Sequence, residues 1–353
     1  MADMQQYKCP NCAGTMVFDI SSQKLKCEYC DSEYDIAEID NINNAMSSSG
    51  NSQDATWEDY EENDFIKMKY YNCNSCGAKV TVSDNTVATE CVYCGNKITI
   101  EDNAADTVAP DCIIPFKLDK NYAINAFKEF YKGKLLLPKS FKNEHQIDKI
   151  TGLYVPFWLF DCDVDAKVDF MCEERTTWTS GDTEYTKTKY YDVKREGSLS
   201  FSSIPVDASK SMDDKYMDSL EPYNFDELKD YNAAFMAGYL ADSYDEDSKT
   251  CSVRANERIK ESVISEFSNT ANYDSVNVKN CIIDTKNSRI RYAFMPVWIL
   301  NTRYNGKIYT FAINAQTGKL VGELPTSTPK FIGFSLIFSV IAYIIINIIL
   351  HFV

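Results

Sequence analysis

Histidine is almost missing from this chain of 353 residues: only His145 and His351 occur. That leaves little for histidine-based acid–base catalysis or histidine-rich metal sites. Arginine is missing altogether from residues 1–102, where seven lysines face eighteen acids. Nucleic-acid affinity comes largely from Lys and Arg displacing counterions, and a formal charge of −16 for the whole chain opposes it. There is no glycine-rich phosphate loop, and no Ser or Cys has an evident histidine base, so we expect no enzyme. The opening residues, Met1 to Tyr7, carry neither a basic region nor an apolar run, and we expect no cleavable export signal. Disorder throughout is excluded by 44% apolar and 13% aromatic residues, and the length allows two or three folded units.

What the chain does have is thirteen cysteines, eight of them in four C-x2-C pairs. Cys9 and Cys12 are followed, fourteen residues later, by Cys27 and Cys30; Cys73 and Cys76 are followed at the same interval by Cys91 and Cys94. The second quartet is the first displaced by 64 residues, and Cys27-Glu28-Tyr29-Cys30 aligns with Cys91-Val92-Tyr93-Cys94. A module of about 35 residues has been duplicated. Two residues between cysteines form a knuckle that aims both sulfurs at one point, and Gly77 and Gly95 suit the turn that follows. The interval between knuckles predicts a hairpin, Met16 to Ile20 with Lys24 to Lys26 in the first module. Four thiolates then close a tetrahedral site, the arrangement of structural zinc, so two zinc ions are expected, one per quartet. Modules this small need such help, because their cores are too thin to fold alone. A disulfide scaffold belongs to exported chains; a rubredoxin-like mononuclear iron site is the other chemistry these ligands can serve.

From Phe331 to Leu350 the sequence runs for twenty residues without charge or proline. At about 1.5 Å per residue this spans the hydrocarbon layer, so residues 331–350 are expected to be a transmembrane helix. Lys319 and Lys330 precede it and no Lys or Arg follows, which predicts a single-pass cell-membrane protein with its N-terminal body in the cytoplasm. Within the span Ser335, Ser339, Tyr343 and Asn347 recur every fourth residue. They form a polar ridge of the kind used for membrane-helix contact, and a partner helix is expected there.

Between these ends, residues 1–40 and 65–102 read as the two ribbons and residues 41–64 as a flexible acidic linker holding Trp57-Glu58-Asp59-Tyr60. Residues 108–325 read as an α+β body. Asp119 caps a helix carrying Ala123, Phe127, Phe130 and Tyr131, and a second helix carries Ala255, Ile259, Val263 and Phe267. Residues 164–201 and 276–322 read as hairpins turning at Ser180-Gly181-Asp182 and Asn305-Gly306. A second repeat, Tyr154-Val155-Pro156-Phe157-Trp158-Leu159-Phe160, returns 140 residues on as Phe294-Met295-Pro296-Val297-Trp298-Ile299-Leu300. It predicts two related antiparallel halves, about 108–207 and 245–325, with prolines at strand starts or edges and tryptophans in the core. Asp161, Asp163 and Asp165 share one strand face, which reads better as a solvated face than as a cation site. Cys112, Cys162, Cys172, Cys251 and Cys281 read as buried single thiols. The stretch Ile308 to Leu320 is similar to a PepSY-type strand–turn–strand ending.

The quartets resemble the zinc ribbons of transcription factor IIB, RNA polymerase subunits and rubredoxin-like proteins. The whole order, carried also by Ile114-Pro115-Phe116, Gly152 to Trp158 and the terminal span, resembles bacterial TFIIB-type zinc ribbon-containing membrane proteins. In Bacillus-like bacteria these are encoded beside a phage-shock-protein-A homologue and an SPFH-domain protein. The resemblance implies a membrane-anchored scaffold in envelope stress, with a cytosolic partner of the SPFH or phage-shock-protein-A kind. The alternative is a membrane-tethered nucleic-acid-binding ribbon protein, and a third reading is an iron-holding redox carrier. With four thiolates and one dication at each site, the formal charge would fall further, from −16 to −20, so nucleic acid is not the expected partner.

Overall fold

A computed structural model describes residues 9, 16–27, 30–36, 68–73, 75–81, 88–94, 96–99, 105–138, 149–212 and 214–352. The expected linker at 41–64 lies outside them. The chain is α+β. In order come β1 (Met16–Asp19), β2 (Lys24–Cys27), β3 (Glu33–Tyr34), β4 (Met68–Asn72), β5 (Lys79–Thr81), β6 (Ala88–Glu90), β7 (Lys97–Thr99), β8 (Ala105–Thr107) and β9 (Cys112–Ile113). Helix α1 (Lys120–Tyr131), β10 (Thr151–Ser180), β11 (Thr183–Asp207) and α2 (Asp214–Leu220) follow. Then come β12 (Lys229–Asp230), β13 (Leu240–Asp242), α3 (Ser248–Asn269), β14 (Ser275–Tyr304), β15 (Lys307–Asn314), β16 (Leu320–Gly322) and α4 (Thr328–Phe352).

Among the described residues eleven strands join one sheet, and its spine is the antiparallel pair β10 and β14, each thirty residues long. Val155 pairs with Met295, Tyr154 with Pro296 and Pro156 with Phe294. Residues 155 and 295 hold the same place in the sequence repeat, so the repeated segments lie against each other around a local two-fold axis. Everything next to the axis obeys it. Parallel to β14 runs β9, with Cys112 opposite Ala293; parallel to β10 runs β13, with Leu240 opposite Leu153. Trp298 Nε1 donates to Leu118 O (2.8 Å) and Trp158 Nε1 to Glu246 O (2.9 Å). Each accepting carbonyl comes just before a helix N-cap. Asp119 receives Tyr122 N and Asp247 receives Thr250 N, both at 2.7 Å. The aspartates satisfy N–H groups that the first helical turn leaves unpaired.

Pro156 and Pro296 lie inside long strands, not at starts or edges. Strand β10 is paired with β13 up to Tyr154 and with β11 from Phe157; β14 is paired with β9 up to Phe294 and with β15 from Val297. Each proline occupies the gap where the outer neighbour changes. Its carbonyl still accepts there, from Ala208 N (2.9 Å) or Ala315 N (3.0 Å). The missing N–H therefore has no ladder partner to lose.

Alternation sends the two sheet faces into different cores. Tyr154, Trp158, Phe160, Phe294 and Trp298 pack with α1 and the start of α3. Leu153, Val155, Phe157, Met295 and Val297 pack on the opposite side with α2. Beyond the centre β10, β11 and β14 continue as an arm. Its even-numbered β10 residues, Cys162 to Cys172, are buried under Ile259 and Val263 of α3. Its other face is a polar ladder. Asp161 takes Arg291, Asp163 takes Ser200 and Asn287, and Asp165 takes Ser198 and Lys286. These partners explain the aspartate row without a bound cation. Past Glu173, the last β10 residue paired with β14, the β10–β11 hairpin stands alone and ends in a stacked, half-exposed Trp178–Tyr185 pair.

Among the described residues one helix, Thr328–Ile348, is long and apolar enough to cross a membrane, and its most apolar stretch is not buried against the protein.

Candidate metal centres and the surfaces that hold them

The second quartet is assembled from two knuckles, each carried by a hairpin. Strand β4 delivers Cys73, and the chain closes on itself through Gly77 N to Cys73 O (2.7 Å) and Cys73 N to Ala78 O (2.8 Å) before entering β5. Strand β6 delivers Cys91, and Cys91 N to Asn96 O (2.8 Å) closes the facing knuckle before β7. The Asn96 side chain donates across to Ser75 Oγ, joining the knuckles. All four sulfurs lie within 4.8 Å of one another, with Cys73–Cys94 at 3.6 Å and Cys76–Cys91 at 3.7 Å. A tetrahedron of metal–sulfur bonds near 2.3 Å has edges of about 3.8 Å, whereas a disulfide needs about 2.05 Å. The quartet fits a metal ion and does not fit two disulfides.

Burial and neighbouring N–H groups shift these thiols in opposite directions. Burial alone would raise the Cys73 thiol, but N–H groups of Ser75 and Cys76 outweigh it and pull the group down to about 7. Cys76 is pushed up to about 11, chiefly by burial, and Cys91 is pushed higher still by its deeper burial. A cation between sulfurs this close would offset the repulsion among their thiolates.

In the first quartet Cys9, Cys27 and Cys30 come together within 4.8 Å, with Cys9–Cys30 at 3.6 Å; Cys12 lies outside the described residues. The knuckle repeats the same bonds, Asp31 N to Cys27 O (3.1 Å) and Cys27 N to Ser32 O (2.9 Å). Gly77 and Asp31 both stand four residues after the first cysteine of a knuckle, at φ +78° and +55°. The glycine signal at this turn was legible in the sequence, and Asp31 fills the same position because short polar side chains tolerate left-handed backbone.

Neither ribbon stands apart from the body. Strand β5 pairs with β13, Thr81 opposite Ala241 and Val80 opposite Asp242, so the second ribbon extends the large sheet. Tyr93, inside the Cys91–Cys94 knuckle, donates its hydroxyl to the fully buried carboxylate of Asp242, which also receives Ser209 Oγ (2.6 Å) and Ser243 N (3.0 Å). Burial pushes Asp242 up to about 7 against the pull of those hydroxyls. Asn301 Nδ2 donates to Val92 O, and Arg303 to Cys94 O (3.3 Å). The first ribbon lies on the opposite sheet face. Phe18 N donates to Ala237 O (3.2 Å), its ring meets Phe235 edge-on at 5.2 Å, and Gln23 reaches Phe116 O (3.0 Å). Tyr93 and Asp242 were missed in the sequence; the one available signal was a tyrosine kept between the ligands of both modules.

The five other cysteines stand apart from these sites. Cys112, Cys162, Cys172 and Cys251 are buried and Cys281 is partly so, all free thiols. Burial raises Cys112 and Cys251 to about 12 and Cys162 to about 11, which keeps them protonated and inert. The ridge residues Ser335, Ser339, Tyr343 and Asn347 are exposed along α4. Ser339 Oγ donates to Ser335 O and Asn347 Nδ2 to Tyr343 O, both at 2.8 Å, so two of the four satisfy a donor within their own helix.

No family model matches the chain, and no solved structure matches it. A curated protein of Bacillus subtilis (strain 168), described as "Uncharacterized protein YdjG", is 37% identical over 325 residues, which cover 92% of this chain and 91% of that protein. A match of that identity runs along nearly the whole of both chains, and the chain belongs to the family of this Bacillus protein.

Proposed function

We propose that the protein is a membrane-anchored adaptor, a scaffold that binds other proteins and turns over no substrate. Helix α4 holds it in the cell membrane with the body in the cytoplasm. Cys73, Cys76, Cys91 and Cys94 hold one zinc ion, and Cys9, Cys12, Cys27 and Cys30 hold the other. Zinc in such a closed site cross-links the chain and offers no open position to a substrate. The observation that carries this reading is the way the second site is built in: its four sulfurs suffice for a tetrahedral ligand set, and its knuckle is fastened to the body by Tyr93, Val92 and Cys94. Such a site fixes the shape of a surface. By its resemblance to the TFIIB-type zinc ribbon-containing membrane proteins, the partner we propose is an SPFH-domain or phage-shock-protein-A-like protein in an envelope-stress complex, with a second membrane protein meeting the ridge on α4.

The test is affinity purification of the tagged full chain from detergent-solubilised membranes, beside a control carrying only residues 323–353. Cytosolic proteins that follow the full chain and not the control are expected. Identical sets from both would overturn the adaptor reading. Retardation of DNA or RNA at low salt would support the nucleic-acid reading in its place.

A further inference from the structure

Helix α1 ends at Tyr131, left-handed Gly133 (φ +75°) follows two residues on, and the chain then makes a short turn through Lys134, Leu135, Leu136 and Leu137. The three leucines have different fates. Leu137 is buried in the body and Leu136 half-buried, whereas Leu135 points outward with 68% of its surface exposed. Lys132 and Lys134 flank it and are exposed too. The turn is fastened to the start of the apolar helix: Ser327 N donates to Leu136 O (2.8 Å) and Lys330 Nζ to Leu137 O (2.6 Å). The next residues, Phe331 and Ile332, are more than half exposed. An outward leucine between lysines is thus held where the chain would enter a bilayer.

We propose that the turn Lys132–Leu135 is a second, interfacial membrane contact, in which Leu135 enters the headgroup layer and Lys132 and Lys134 meet the phosphates of anionic lipids. This rests on the reading of α4 as a membrane anchor and adds a surface to it. Charge complementarity selects the occupant. The protein as a whole carries −16 and is repelled by an anionic leaflet. From Lys128 to Leu137 there are three lysines and one acid, Glu129, which is paired with Lys132 at 2.8 Å. A local excess of two positive charges at the membrane entry point of an otherwise acidic body orients it at the leaflet: repelled elsewhere, attracted at this turn. The turn and α4 together give two points of attachment, which limits how far the body can tilt on its anchor.

The test uses the full chain in vesicles of phosphatidylcholine with about 30% phosphatidylglycerol, a fraction set by the anionic surface the contact needs. Leu135→Trp should add fluorescence that lipids brominated near the glycerol end of the acyl chain quench. Lys132→Gln with Lys134→Gln in the same background should lower the docked-to-undocked ratio roughly 25-fold, each lysine at an anionic surface being worth about fivefold. The unsubstituted chain gives an independent reading: backbone amides 133–136 should exchange more slowly in these vesicles than in phosphatidylcholine alone. Resistance to alkaline carbonate extraction with neither quenching nor slowed exchange would overturn the contact and leave the anchor standing. Extraction of the wild-type chain by carbonate would overturn the anchor and the contact together.

Discussion

Asp242 is the residue on which the second ribbon's place in the molecule turns. Its carboxyl is fully buried and pushed up to about 7, while the ordinary value is near 4. The neutral acid is therefore favoured in the folded state. Its contribution is full below the ordinary value and is lost as pH rises through about 7. Thermal unfolding of the full chain in detergent should show stability falling by about 1 kcal/mol from pH 6 to pH 8 on this account. Asp242→Asn, neutral throughout, should remove most of that slope. A smaller slope of the same sign should survive from Asp207, which burial raises to about 6 against the attraction of Arg254. The cysteines give a second prediction at this scale. On the proposed zinc reading, metal content of the purified chain should be two per molecule, and Cys91→Ser should bring it to one, because the two cysteine clusters are separate. Loss of both metals from that single change would mean that the ribbons share a site or fold as one unit.

At the scale of elements, α3 shows what a sequence makes legible. Its buried residues Cys251, Ala255, Ile259 and Val263 recur every fourth position, and Asp247 caps it. That periodicity is local, as are the turns at Gly181 and at Asn305-Gly306, so the helix and both hairpins could be read directly. The pairing of β5 with β13 could not, because three short residues in each strand carry no pattern and the join spans about 160 positions of chain. The arginines of α3 were equally silent. Arg254 reaches the buried Asp207 (2.8 Å) and both Asp214 and Asp218 of α2 (3.2 Å each), while Arg258 holds Asp218 (2.5 Å) and Glu221 (2.8 Å). They tie α2 to α3 across the edge of the sheet. Arg254→Leu would leave Asp207 buried without its cation and should cost about 3 kcal/mol in urea unfolding. Adding Asp207→Leu should recover more than half, since the penalty lies in the unpaired charge and not in the loss of attraction. For α4 the prediction concerns contact. Asn347→Leu with Ser339→Leu should remove a membrane partner from a detergent pull-down while the chain stays in the membrane. An unchanged partner set would show that the ridge residues serve only their own helix.

The two-fold arrangement of the whole molecule sets where its ends lie. The sequence repeat disclosed that two halves exist, but their antiparallel alignment about Val155 and Met295 depends on a sheet that only the folded chain brings together. Helix α3 runs along β10 from Cys251, near Asp207, to Phe267 and Thr270, which meet Gly197 and Arg195 in the arm. Helix α1 lies at the other end of the central pair: Leu118, just before it, meets Trp298, and its Phe127 and Phe130 meet Phe311 of β15, whose partner in β14 is Leu300. The end of α1 is where Ser327 and Lys330 fasten the start of α4. The chain thus leaves the body at one pole while the hairpin tip, Trp178 with Tyr185, lies at the other. From Val155 to Ser180 a flat strand at about 3.3 Å per residue extends up to about 80 Å. Twist shortens this, yet the tip remains farther from the exit point than the body's centre is. With α4 in a bilayer and the turn at Lys132–Leu135 steadying the body, the aromatic tip should face away from the membrane. A donor dye placed in the turn at Asp182, with acceptor lipids at the vesicle surface, should show weak energy transfer, and a donor at Lys134 strong transfer. Strong transfer from both positions would mean that the arm lies down along the bilayer, with the tip available to lipid and not to a partner in the cytosol.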